Sequence, residues 1–208
     1  MRTSTRHAAW LFASLAASSL SGCGAAEAPH YYTLMPEAAP ALTSSTAEPL
    51  SIDVLPIEVP AQVDTALMVV REGGAEVVPV GSRRWVAPLH DEIRTALSSS
   101  VSAKLGARDV SGTGAAGTTY RIKVIVRRFD SSLGTSASLF AVWTVRETGA
   151  ESPRTRTCET RVTEPAKGGF DALARAHQHA VAALASQITA TIRAMREHPD
   201  AAPTDCAQ

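Results

Sequence analysis

Apolar residues recur at helical spacing over Gly169–Met195, and this pattern predicts one long amphipathic helix. A helix face of this kind is stable only when it is buried against another layer of the protein. The rest of the chain therefore has to supply that layer. The predicted buried face comprises Phe170, Leu173, His177, Val181, Leu184, Ile188, Ile192 and Met195.

Upstream of this helix, apolar residues mostly alternate with polar ones, which is typical of half-buried strands. The exception is Pro88–Leu105, where apolar residues recur every four positions and predict a shorter helix that ends at Gly106. Glu72-Gly73-Gly74 lies between two alternating segments and predicts a hairpin. This order predicts an α+β domain, in which a mainly antiparallel sheet carries both helices on one face. The predicted strands are Tyr31–Leu34, Ser51–Pro60, Leu67–Arg71, Ala75–Val80, Tyr120–Phe129, Leu139–Val145 and Thr155–Val162.

The first residues have the features of an export signal. Arg2 and Arg6 precede an apolar stretch that ends at Leu20-Ser21-Gly22-Cys23, which resembles the lipobox of bacterial lipoproteins. In such proteins the cysteine thiol is acylated and the cysteine becomes the new N-terminus, so Cys23 is the predicted lipidation site. An ordinary secretory signal that contains a cysteine is the alternative. Gly24, in place of an aspartate after the cysteine, favours an outer-membrane lipoprotein that faces the periplasm.

These features divide the chain into four parts. Residues 1–22 are the predicted lipoprotein signal peptide, and residues 23–30 are the lipidated cysteine and a tether. Residues 31–197 form the predicted folded domain, and residues 198–208 form a C-terminal tail.

Export also affects the expectation for the other two cysteines, because disulfides persist in oxidising compartments. We expect Cys158 and Cys206 to form a disulfide that ties the tail to the domain. Two free thiols, one in a strand and one in a loose tail, are the alternative.

The charge composition excludes one class of partner. The chain has 20 Lys and Arg against 20 Asp and Glu, a formal net charge of +0. Nucleic-acid-binding domains normally carry a clear basic excess. No nucleic acid is therefore expected among the partners.

Motifs that would indicate an enzyme, a cofactor or a metal lack their structural context. Gly112–Gly117 matches G-x-G-x-x-G, but a strand is predicted to follow it, and the dinucleotide motif requires a helix there. His177 and His179 lie two positions apart on a helix and point in different directions, so they cannot bind one metal ion. No G-x-S-x-G sequence occurs. We predict no catalytic residue, no cofactor and no metal site.

Two cationic clusters are candidate contact surfaces. One comprises Arg121, Lys123, Arg127 and Arg128, which are predicted to project from the outer side and the end of one strand. They would meet lipid headgroups, a partner or only solvent. The other is Arg83-Arg84-Trp85, which precedes the first helix and is a candidate partner interface. In the alternative interpretation, Trp85 fills the junction between helix and sheet.

Several motifs follow one another across most of the mature chain. The most specific is Arg84-Trp85-Val86-Ala87-Pro88-Leu89, which opens the first helix. The others are Tyr31-Tyr32-Thr33-Leu34, Val54-Leu55-Pro56-Ile57-Glu58-Val59-Pro60, Asp64 and Met68-Val69-Val70-Arg71. In order and spacing these residues resemble the ABC-type transport auxiliary lipoproteins, the PqiC-like family. The chain departs from that pattern at Thr65-Ala66, where family members often carry Arg-Pro.

This resemblance implies a non-enzymatic accessory subunit of an envelope lipid-transport system. The implied partners are MCE-domain proteins and inner-membrane transport proteins, together with the membrane at Cys23. Docking against a ring of MCE subunits would favour a homo-oligomeric ring of this chain. The alternatives are a stand-alone periplasmic carrier of lipid or of a small hydrophobic ligand, and a purely structural envelope lipoprotein.

Overall fold

A computed structural model describes residues 27–37, 50–113, 117–197 and 206 of the chain. The predicted signal peptide, Cys23 and all of the predicted tail except Cys206 lie outside the described residues. In chain order, the described elements are β1 (His30–Tyr32), β2 (Ser51–Val54), β3 (Leu67–Gly73), β4 (Glu76–Trp85), α1 (Leu89–Leu105), β5 (Arg108–Asp109), β6 (Thr119–Ser132), β7 (Ser136–Thr148), β8 (Thr155–Pro165) and α2 (Phe170–Glu197).

The larger sheet has five strands in the order β5-β2-β6-β7-β8. Strands β6, β7 and β8 form an antiparallel meander, whereas β2 runs parallel to both β5 and β6. Alternation along β6 and β7 buries one face of this sheet, which includes Ile122, Val124 and Trp143. The opposite face is more exposed to solvent.

The smaller sheet has three strands in the order β1-β4-β3. Strands β3 and β4 form a hairpin, and β1 pairs with β4 in parallel, so that Tyr31 lies opposite Arg84 and Tyr32 opposite Trp85. Strand β3 packs near β6. Apolar side chains from both sheets, including Met68 and Trp85, join one core.

Both helices cover the buried face of the larger sheet. Helix α1 packs on β2 and β5, α2 packs on β6, β7 and β8, and the two helices contact each other. Helix α1 begins after Pro88 and ends at Gly106, which adopts the left-handed conformation with φ 62° and donates its backbone N–H to the Ser102 carbonyl. Neither helix combines the length and hydropathy that crossing a bilayer requires, as far as the described residues extend.

The structure confirms the predicted α+β class and the two helices on one face of a sheet. The predicted helix Gly169–Met195 is observed as Phe170–Glu197, and β6 extends beyond the predicted Tyr120–Phe129 at both ends. The separate three-stranded sheet and the parallel pairs of β1 and β2 were not expected. Their pairing partners are distant in sequence, and residue patterns within one strand do not encode such partners.

Candidate functional site

An open cleft lies between the β3–β4 hairpin and the exposed face of the larger sheet. Its volume is about 550 Å³, which falls within the usual range for ligand sites. The cleft is lined by Pro60, Gln62, Val63, Val69, Arg71, Ala75, Val77, Arg127, Arg128, Phe129, Asp130 and Phe140.

A β-bulge in β6 places two guanidinium groups in the wall of this cleft. Val126 pairs with Ala141 and Arg128 pairs with Phe140, so Arg127 is an extra residue in β6 without a counterpart in β7. Both Arg127 and Arg128 are exposed, and Phe129 beyond them turns back into the core. The bulge therefore places consecutive arginines on the outer surface.

The cleft carries a net positive charge. Asp130 accepts a hydrogen bond from Arg128 Nε at 2.6 Å and lies 3.4 Å from Arg71 Nη2. One carboxylate therefore pairs with two guanidinium groups. Arg127 has no ion-pair partner among the described residues. Three arginines against one aspartate, beside apolar groups such as Val69 and Phe140, suit a ligand that combines negative charge with apolar surface.

Elsewhere on the same sheet face, neighbouring carboxylates neutralise several cations. The three ion pairs are Arg121–Asp53 at 2.9 Å, Lys123–Glu58 at 3.2 Å and Arg161–Glu159 at 3.1 Å. The predicted outward placement of Arg121, Lys123, Arg127 and Arg128 agrees with their exposure. Of these four, Arg127 and Arg128 line the cleft.

Sequence reasoning found these arginines but not the cleft, because its walls come from four strands that meet only in the folded protein. One signal was present in the sequence. Apolar residues alternate at Tyr120, Ile122, Val124 and Val126, and the next apolar residue of that face is Phe129 rather than residue 128. A break of this kind in a period-two pattern indicates a bulge.

The expectation that Arg83, Arg84 and Trp85 form one partner interface is wrong for Trp85. Its indole is 3% exposed and makes edge-on contacts with Phe129 and His177, at centroid distances of 6.2 and 6.0 Å. Trp85 therefore fills the junction between helix and sheet. A partner cannot contact this indole on the folded domain.

The two neighbouring arginines of that motif also lie in different environments. Arg83 is 2.9 Å from Glu27 and lies over the ring of Phe170, so it is largely enclosed. Arg84 is exposed. The three residues therefore do not form a common surface.

His177 is completely buried, in agreement with its place on the predicted buried face of the helix. Its Nε2 lies 2.8 Å from Ser131 Oγ, and its Nδ1 has no hydrogen-bond partner among the described residues. Burial lowers the pKa of His177 to about 3, so the imidazole is neutral. No carboxylate orients the ring as in a Ser-His-Asp triad, at least within the described residues. His179 on the same helix is exposed, so the two histidines point in different directions, as predicted.

The described part of the chain contains no group of three His, Cys, Asp or Glu side chains that could hold a metal ion. The structure joins Cys158 and Cys206 by a disulfide with a Cα–Cα distance of 5.7 Å. This bond fastens the described tail residue to β8.

A comparison with protein families decides where the chain belongs. The family model for the ABC-type transport auxiliary lipoprotein component matches residues 32–189, which include most of both sheets and both helices. The chain belongs to this family. No curated protein matches the sequence.

Solved structures share the fold of this auxiliary lipoprotein. One crystal structure of an uncharacterised protein is 18% identical, with a TM-score of 0.59, and the match covers 80% of this chain and 99% of the other. A Xanthomonas campestris protein of the DUF330 family is 14% identical, with a TM-score of 0.57, over 83% of this chain and 99% of the other. At these identities the likeness concerns the fold alone.

Most of the residues that carry the family resemblance lie around the smaller sheet and the start of α1, whereas Val54–Pro60 runs along β6 of the larger sheet. Tyr31 and Tyr32 pair with Arg84 and Trp85 of β4. Asp64 Oδ1 lies 2.6 Å from His90 Nδ1, and this contact raises the pKa of His90 above its usual value. Outside Val54–Pro60, the family signature thus corresponds to the joint between the small sheet and the first helix.

Proposed function

We propose that this auxiliary lipoprotein is an accessory subunit of an MCE-type envelope lipid-transport system. In this proposal it is anchored by acylated Cys23 in the outer membrane and faces the periplasm. Membership of the family establishes the transport accessory role, and the proposal adds the transport system, the cargo class and the membrane. Export through a lipoprotein signal is supported by Leu20-Ser21-Gly22-Cys23.

The observation that carries the partner part of this proposal is the cationic cleft. Its arginines lie on the exposed face of the sheet, away from the helices, where a partner can reach them. Between the sheets and helices, by contrast, the space is filled by large side chains such as Trp143, Leu184 and Ile188, each less than 2% exposed. This arrangement favours a domain that binds a segment of a partner at its surface over a domain that encloses a lipid in its interior.

Site-specific photocross-linking in cells tests this assignment. A photoreactive amino acid at position 127 should cross-link to an MCE-domain protein, whereas the same residue at position 175 should not. Arg175 is an exposed arginine on α2, on the helical side of the domain, and serves as the matched control. Equal yields at both positions, or cross-links at 127 to other proteins only, would contradict the cleft as the docking site.

A stand-alone carrier is the second candidate, because the cleft volume also falls in the range of small-ligand sites. Delipidated protein mixed with phospholipid vesicles distinguishes the two functions. A carrier extracts about one lipid per chain, and Arg127→Glu reduces that amount. An accessory subunit extracts none and still cross-links to its partner.

A further inference from the structure

A second surface lies where the chain leaves the predicted tether and enters β1. Tyr31 is 60% exposed and Val86 is 64% exposed, the two highest values among the large apolar side chains of the described residues. They lie close together, because Tyr31 pairs with Arg84 in the β1–β4 ladder and the Val86 N–H donates to the Tyr32 carbonyl. This surface therefore combines an aromatic ring, an aliphatic side chain and a guanidinium group.

The charge of this surface is positive. Arg84 has no ion-pair partner among the described residues, and its Nε donates only to the carbonyl of Gly81, at 3.4 Å. The nearby carboxylate of Glu27 is occupied by Arg83 at 2.9 Å and by the Ser82 hydroxyl. A tyrosine ring, an apolar side chain and a free cation are the groups that favour the interface between water and lipid headgroups.

The length of the predicted tether limits which part of the domain can reach the membrane. His30 lies seven positions after Cys23, and a fully extended chain of that length spans at most about 25 Å. A domain of this size is about 40 Å across. The first strand therefore stays within about 25 Å of the anchored cysteine, whereas the far end of the domain can lie well beyond that distance.

We propose that Tyr31, Arg84 and Val86 form the surface on which the domain rests against the phospholipid headgroups. This inference rests on the proposed acylation of Cys23, and it assigns the domain an orientation. The small sheet faces the bilayer, and the C-terminal end of α1 points away from it. Arg84, which the sequence places in a candidate partner interface, contacts lipid headgroups in this proposal.

Fluorescence of the acylated protein in vesicles of phosphatidylethanolamine and phosphatidylglycerol tests this orientation. An environment-sensitive dye is attached to Val86→Cys or, as a control, to Lys104→Cys near the other end of α1, where the side chain is also exposed. The helix rise puts these two positions more than about 20 Å apart. We expect blue-shifted emission at position 86, and quenching by headgroup-labelled lipid severalfold stronger there than at position 104.

Mass spectrometry of the same samples separates failure of the anchor from failure of the docking surface. A protein without acyl chains would overturn the proposed anchorage. An acylated protein with equal quenching at positions 86 and 104 would overturn the docking surface alone. Shielding of position 86 only after an MCE-domain protein is added would also overturn it, in favour of a protein interface.

A separate substitution tests whether Arg84 contributes to this surface. Arg84→Glu should reduce the quenching at position 86 in the anionic vesicles, and added salt should weaken the native signal in the same direction. Arg108→Glu, a matched charge reversal at an exposed position on β5, should leave it unchanged. Equal quenching in native protein and in Arg84→Glu would remove Arg84 from the surface.

Discussion

The imidazole of His177 stacks face to face on the ring of Phe129, with centroids 3.9 Å apart and an interplanar angle of 9°. This contact joins α2 to the strand that also carries the bulged arginines. The imidazole is therefore part of the core that supports the cleft, and the protein has to keep it neutral.

We predict that this buried imidazole makes the domain sensitive to acid. The folded-state pKa of His177 is about 3, against an ordinary value of 6.5, so the unfolded chain takes up the proton first. The unfolding free energy therefore has its full value above about pH 6.5 and decreases as the pH falls from there towards 3. Between pH 7 and pH 5 the loss amounts to about 2 kcal/mol of unfolding free energy. Urea unfolding at both pH values measures it.

His177→Gln should lower stability at pH 7 but flatten this pH dependence. His179→Gln changes an exposed histidine of the same helix and should keep the native slope. His90 acts in the opposite direction, because its raised pKa strengthens the fold as the pH falls, but it is present in all three proteins. A native slope in His177→Gln would contradict the account of the buried imidazole.

The disulfide should contribute measurably to stability. Cys158 and Cys206 are separated by 48 residues. Closing a loop of that length lowers the entropy of the unfolded chain and so raises its free energy by about 4 kcal/mol in the loop-entropy treatment. Reductant should therefore lower the urea midpoint of the native protein. The double variant Cys158→Ser/Cys206→Ser should be insensitive to reductant. Two titratable thiols in unreduced native protein would show that the bond is absent in solution.

A buried carboxylate should hold the segment after β1 on the first helix. Glu92 is 6% exposed, and its Oε2 accepts the Leu34 N–H at 2.7 Å and the Thr33 hydroxyl at 2.9 Å. Bonds to a charged acceptor are worth about 1.5–3 kcal/mol each. Glu92→Ala should therefore accelerate hydrogen exchange at the Leu34 amide by at least about tenfold. Asp91→Ala removes an exposed carboxylate from the same turn and should leave that rate unchanged.

A largely buried ion pair connects the sheet to the end of α2. Arg154 donates to both carboxylate oxygens of Glu147, at 2.7 and 3.1 Å, and also to the carbonyl of Met195. These bonds lower the pKa of Glu147. Arg154→Leu leaves the buried Glu147 carboxylate without its cation. This substitution should lower the unfolding free energy, measured in urea, by about 3–5 kcal/mol.

The control for this prediction is an exposed pair on β8, the strand that Arg154 precedes. Arg161→Leu breaks the pair with Glu159, whose side chains are 64% and 56% exposed, and should cost less than about 1 kcal/mol. Equal losses of unfolding free energy in Arg154→Leu and Arg161→Leu would contradict the claim that burial makes the first pair more important. Glu147→Gln combined with Arg154→Leu should recover part of the loss, because no buried charge remains.

The sequence patterns predicted the elements much better than their partners. The stripe from Phe170 to Met195 and the alternation along β6 are local properties, and both elements appear in the structure close to the predicted positions. The pairing of β1 with β4 depends on residues that lie far apart in the sequence. The two-residue strand β5 is too short to give any pattern.

The candidate site illustrates the same limit. Arg127 and Arg128 were identified as outward cations, but their cleft needs the β3–β4 hairpin as its second wall. Trp85 was open to two interpretations, since an aromatic beside two arginines suits both an interface and a core. Only the packing against Phe129 and His177 decides between them.

Affinity capture from gently solubilised membranes tests the central claim most directly. Native protein is compared with Cys23→Ala, and the recovered proteins and lipids are identified by mass spectrometry. The account predicts that native protein recovers an MCE-domain protein and that Cys23→Ala recovers less of it. Recovery of the chain by itself, or with lipid and no transport protein, would contradict the accessory role in MCE transport and favour a carrier.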